Sequence, residues 1–197
     1  MYMQLNGQVI YYEKNGEGSP VILVHGNGET HKIFDVLIAE LSKKHTVYAM
    51  DSRGHGQSAA VTEFHYSDMA DNVFEFVHAL DLVKPAFYGF SDGGIIGLLA
   101  ASKHPTLFSA LAISGANLTP SGVKLPFRIK DRLHYFKSKD PLLHLMLTEP
   151  HISKADLAKI TIPALVLAGE KDMIKLSQTR QIAKYIPDST LKILLGE

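Results

Sequence analysis

Six short apolar runs recur along the chain and limit what it can fold into: VILVHG from Val21, TVYAMD from Thr46, PAFYGF from Pro85, LFSALAIS from Leu107, PALVLAG from Pro163 and TLKILL from Thr190. Continuous apolar runs rich in β-branched residues are the pattern of strands buried on both faces, as in a parallel sheet. Parallel strands need crossover connections, and helix-period segments stand between most of these runs. Phe34, Leu37, Ile38 and Leu41 return at helical spacing, as do Met69, Val73, Phe76, Val77 and Leu80. The stretch from Ser91 to His104 is apolar on nearly every side, which predicts a helix buried against the sheet, and a further helix is expected over about Leu176–Tyr185. At the N-terminus, Asn6-Gly7 joins two short strands, a dipeptide suited to an antiparallel hairpin because both positions tolerate positive φ. The expected fold is α/β: a mainly parallel sheet of about eight strands that begins with a hairpin, helices on both faces.

One stretch breaks the alternation. From Asn117 to Lys159 there is no apolar strand, only two expected helices around Arg128–Lys137 and Pro141–Leu147, bounded by Pro120, Pro126 and Pro150. It reads as an insertion, residues 117–159, within a single domain over residues 1–197, since no repeat or flexible linker interrupts the chain.

The string YGFSDGG, residues 88–94, falls at the junction of a strand and a helix. A serine there, with glycines two positions to either side, matches a nucleophile elbow, a strained turn that lifts the hydroxyl above the sheet at a helix N-terminus. The competing explanation is an N-capping serine, which accounts for Ser91 but not for Gly89 and Gly93. A serine hydroxyl needs an oxyanion hole, a base and an orienting acid to act as a nucleophile at neutral pH. His25-Gly26-Asn27-Gly28 ends the first buried strand on the same rim, so the backbone N–H groups of Asn27 and Asp92 are the natural donors of the hole. Asp172, just past PALVLAG, sits where α/β sheets hold functional loops and is the candidate acid.

Composition excludes much else. Twenty lysines and arginines balance twenty acids and are spread along the sequence, so neither a nucleic-acid partner nor a membrane surface is expected. No run is long enough to span a bilayer and the N-terminus has no secretory pattern. The chain has no cysteine, which excludes disulfides and a thiolate nucleophile and agrees with a cytoplasmic location. Neither a metal-ligand spacing nor a dinucleotide or phosphate loop is present, so no cofactor is implied.

In combination, HGNG, DSRGHGQS from Asp51, GFSDGG and IPALVLAGEKD resemble the α/β-hydrolase superfamily, in the spacing of its small esterase-like and lactonase-like members. The resemblance implies the α/β-hydrolase fold, Ser91 as nucleophile, Asp172 as triad acid, Asn27 and Asp92 as oxyanion-hole backbone, and residues 117–159 as a helical lid over the pocket. It implies a mostly structural turn at Asp51, Arg53 and His55. The dehalogenases and epoxide hydrolases of the superfamily carry an aspartate at the elbow, and the dehalogenases add tryptophans. This chain has Ser91 and no tryptophan, so the implied substrate is a small-molecule ester, thioester or lactone.

The superfamily takes its base histidine from the loop after the final strand, yet all ten histidines here precede Asp172. Three explanations stand. The sequence is a shortened form whose histidine and last helix lie beyond Glu197, and as it stands is nearly inactive; or a lid histidine, His134, His144 or His151, substitutes; or the protein is a non-catalytic ligand-binding or regulatory relative.

Overall fold

The computed structural model describes residues 1–196. An eight-stranded sheet runs in the order β1-β2-β4-β3-β5-β6-β7-β8, with β1 Tyr2–Leu5, β2 Gln8–Asn15, β3 Ser19–Val24, β4 His45–Met50, β5 Ala86–Phe90, β6 Ala110–Ser114, β7 Ala164–Gly169 and β8 Ser189–Leu194. The first two pairings are antiparallel and every later one is parallel. All six apolar runs became strands, and the expected hairpin turns at Asn6 and Gly7, both at positive φ.

Helices cover the two faces unequally. On one face lie α2 Tyr66–Ala79, α3 Asp92–Lys103, α6 Lys154–Ala158 and α7 Leu176–Tyr185, enclosing the main core around Phe76, Phe87, Ile95, Ile96, Leu98, Leu111 and Ile113. Helix α3 is buried on almost every side, as its uniformly apolar sequence requires. On the other face α1 Asp35–Leu41, through Ile38, and the 3-10 turn His31–Phe34 just before it, through Phe34, pack over β3 and β4. Beyond α1 on that face Phe90 and Leu165 are each 37% exposed.

The stretch 117–159 holds, after a 3-10 turn at Pro120–Gly122, three α-helices rather than the two expected: α4 Leu125–Ser138, α5 Pro141–Thr148 and α6. The first two are the expected pair. The third starts at a capping box, in which Ser153 Oγ accepts from the Asp156 N–H at 3.1 Å and the Asp156 carboxylate accepts from the Ser153 N–H at 3.2 Å. Its Leu157 is fully buried beside Ile152 and Ile160 in the main core. The end of the insertion therefore belongs to the body of the fold. Among the described residues no helix is long and apolar enough to cross a membrane.

Two side chains lock the rim. Asp51, fully buried, accepts from the His31 N–H at 2.8 Å, from the Gln57 N–H at 2.9 Å and from the His31 ring at 2.7 Å. Burial pushes its carboxyl up, but these bonds outweigh burial and hold it below the usual range. His25 is equally enclosed. Its Nε2 accepts from the Ser52 N–H at 3.0 Å, so Nδ1 carries the proton and donates to the Gly26 carbonyl at 2.8 Å. Both histidines thus fasten loops, and His55, buried with Nδ1 on the Arg53 carbonyl, does the same.

Candidate active site

The turn at Ser91 is strained. Its φ of 51° and ψ of −113° lie in a region that side-chain-bearing residues rarely enter. Three backbone bonds hold it there: the Ser91 N–H donates to the Ser114 carbonyl at 2.7 Å, and the Ser91 carbonyl accepts from Gly94 at 2.9 Å and Ile95 at 3.2 Å. The glycines on either side answer to packing. A Cβ on Gly89 would overlap the Gly93 carbonyl, and one on Gly93 would overlap the Val24 carbonyl of β3. The side chain of Ser91 caps nothing, so the capping explanation fails. The hydroxyl is left free and half-buried above the first turn of α3.

Asn27, at the end of β3, faces this turn. Its side-chain amide donates to Asp92 Oδ2 at 3.0 Å, which ties the HGNG loop to the first residue of α3. The Gly26 N–H is taken by the Glu29 carboxylate at 2.9 Å, while among the described residues the N–H groups of Asn27 and Asp92 have no hydrogen-bonded partner. Two uncommitted donors therefore flank Ser91, one on the strand-end loop and one on the helix N-terminus.

The Asp92 carboxylate is a feature that sequence reasoning missed, having assigned that residue a backbone role only. It is buried between Asn27 and the hydroxyl of Tyr66. Burial pushes its carboxyl up, and the Asn27 and Tyr66 contacts offset this only in part. Burial, followed by the charge of Asp92, likewise drives the Tyr66 phenol well above its usual range.

Asp172 lies on the far side of Gly115, the residue after β6. A Cβ placed on Gly115 would stand 3.4 Å from Asp172 Oδ2 and 3.9 Å from Ser91 Cα. Both the nucleophile and the acid candidate therefore border the bare glycine. Asp172 Oδ1 accepts from the Ile174 N–H at 2.9 Å, which leaves Oδ2 toward Gly115. Gly115 was also missed; its signal was a glycine directly after the strand LFSALAIS.

Among the described residues none of the three histidines of residues 117–159 hydrogen-bonds to Ser91 or Asp172, and His144, like His134 and His151, is exposed. The His144 ring stands 5.4 Å from Tyr135. Glu197, beyond which the base histidine was expected, lies outside the described residues. Its neighbour strand β8 ends beside Gly169, where Leu194 pairs, so the chain leaves β8 on the same rim as Asp172.

The profile of the alpha/beta hydrolase fold matches residues 19–138. The serine hydrolase BPHL of Homo sapiens is 29% identical over 96% of this chain and 76% of its own length. Its counterpart from Mus musculus is 30% identical over 85% of this chain and 68% of its own. Among solved structures, the enol-lactonase of Burkholderia xenovorans LB400 superposes with a TM-score of 0.82 at 19% identity, over 98% of this chain and 91% of that one.

Proposed function

The chain belongs to the α/β-hydrolase fold family, and on that premise we propose that it is a serine hydrolase cleaving a carboxylic ester, thioester or lactone through an acyl intermediate on Ser91. The observation that carries this reading is the strained, uncapped Ser91, held between two backbone N–H groups that have no partner among the described residues. Ser91 Oγ attacks the carbonyl carbon and the Asn27 and Asp92 N–H groups receive the oxyanion. The alcohol, thiol or ring oxygen leaves with a proton, and water then releases the acid. Asp172 orients the base through Oδ2 and stabilises the imidazolium that forms when the base takes the Ser91 proton. Within residues 117–159, α4 and α5 act as the lid, while α6 belongs to the body.

The base is a histidine entering from the turn after β8, beyond Glu197, where the rim position next to Asp172 supports it. Phe90 and Leu165, each 37% exposed, mark where a helix following that histidine would pack. Loss of such a base costs on the order of 10⁶ in turnover, so residues 1–197 alone leave only the contribution of the hole and of binding, roughly 10³ to 10⁴ over water.

The test compares p-nitrophenyl ester hydrolysis by residues 1–197, by a form extended past Glu197, and by each with Ser91→Ala. The reading expects turnover in the extended form, abolished by Ser91→Ala, and almost none in the shorter one. Equal Ser91-dependent turnover in both forms refutes the base assignment. Turnover in neither refutes the hydrolase reading and favours a ligand-binding protein.

A further inference from the structure

Helix α4 is unlike every other long helix of the fold: none of its fourteen residues is buried. Leu125, Ile129, Leu133 and Phe136 recur at spacings of four, four and three, which sets them in one ridge along the helix. They are 59, 51, 61 and 75% exposed. Arg128, Asp131 and Tyr135, about a third of a turn round the helix from the ridge, are the half-buried positions that turn toward the body and α5. The apolar ridge is therefore left open to solvent rather than packed on the core, with Leu125 and Ile129 bordering the cleft against His144 and Leu147 of α5 and Leu133 and Phe136 standing clear of it.

Charge flanks the ridge. From Lys124 to Lys139 there are six cations, Lys124, Arg128, Lys130, Arg132, Lys137 and Lys139, against the single carboxylate of Asp131. On the helical projection Arg132 borders one side of the ridge, and Lys130 and Lys137 border the other. A chain with no net charge has thus gathered six of its twenty cations within sixteen residues around an exposed apolar strip, against the even spread expected from the sequence as a whole.

The helix is also anchored to the rim of the site. The Lys124 N–H donates to the Met173 carbonyl and the Lys175 N–H to the Gly122 carbonyl, each at 2.9 Å, and Val123 pairs with Ile174. These bonds tie the start of α4 to the loop that carries Asp172.

We propose that α4 is an interfacial helix that docks the protein, rim first, on an anionic lipid surface. Cations flanking a ridge of Leu, Ile and Phe are the pattern of helices that lie in the headgroup layer with their apolar side inserted. A second copy is disfavoured as occupant because two such helices would set like charges together. An acidic protein would need its own groove to receive a convex ridge, whereas a lipid surface deforms around it. The proposal stands whether or not Ser91 turns over substrate.

Because the chain contains no tryptophan, Phe136→Trp installs a single reporter on the ridge. The variant is titrated with vesicles of phosphatidylcholine alone and of phosphatidylcholine with phosphatidylglycerol in equal parts. The expected result is a blue shift with the anionic vesicles only, weakened by salt. Lys130→Gln and Lys137→Gln, both at exposed positions, should each weaken binding about fivefold, and Leu133→Gln should weaken it without altering the salt dependence. Circular dichroism of each variant checks that the fold is retained. No shift with anionic vesicles overturns the proposal. So does a shift that the lysine variants leave unchanged, one produced by polyglutamate and not by vesicles, or one that follows protein concentration in the absence of lipid.

Discussion

Replacing Ser91 with glycine should make the protein more stable than replacing it with alanine, against the usual order of these residues. At φ 51° and ψ −113° a Cβ is held in a sparsely allowed region, at a cost of about 1–3 kcal/mol. Alanine keeps that Cβ and the strain, while glycine loses both. Glycine in turn gives the unfolded chain extra freedom, which at an unstrained site costs about 0.4–1 kcal/mol. The difference leaves Ser91→Gly ahead of Ser91→Ala by roughly 0.5–2 kcal/mol. With a urea m-value of about 2 kcal/mol/M, the midpoint should rise by about 0.3–1 M. Both variants lack Oγ, so neither hydroxyl chemistry nor any substrate enters the comparison. Equilibrium unfolding in urea, followed by circular dichroism, is sufficient. A Ser91→Gly midpoint below that of Ser91→Ala would mean that the turn stores no strain, and the elbow geometry would lose its meaning.

Acidification should destabilise the protein through His25, whose burial, chiefly, lowers its pKa from 6.5 to about 4. The unfolded chain takes up this proton from about pH 6.5 downward and the folded one resists until about 4. Stability is therefore full above 6.5 and drains as pH falls, by about 3 kcal/mol at 1.36 kcal/mol per unit; urea unfolding of wild type against His25→Gln across that range checks it, and parallel curves refute it. Asp92 acts in the opposite direction, because its folded pKa is raised above 3.8. Its contribution is complete below 3.8 and is lost as pH rises through the folded value, so Asp92→Asn should gain on wild type with increasing pH, read from thermal melts at pH 4 and pH 8. Gly93→Ala should cost about 2 kcal/mol or more, since its Cβ meets the Val24 carbonyl rather than a movable side chain; a neutral effect in urea unfolding would contradict the packing at the elbow.

Strand runs and the elbow were legible in the sequence because each depends on local pattern. VILV and PAFYGF are apolar throughout, and Gly89 and Gly93 mark backbone approaches that no side chain allows. Features made by distant segments were not legible. The Asp92 carboxylate is buried because Tyr66 of α2 and Asn27 after β3 enclose it, and neither neighbour is near it in sequence. Gly115 gains its role from lying between Ser91 and Asp172, a relation set by strand order. Helix α6 was overlooked because it is five residues long, too short for a periodic pattern; its start was marked only by the Ser153 and Asp156 pair. The six cations between Lys124 and Lys139 stood in the sequence, but that they flank an exposed ridge depended on knowing which side of α4 packs.

Covalent labelling with a fluorophosphonate tests the central claim most directly. On the form extended past Glu197, peptide mapping should find a single adduct on Ser91, absent from Ser91→Ala, formed orders of magnitude faster than on residues 1–197. An adduct at another residue, or none on the extended form, would contradict the assignment of Ser91 as the nucleophile.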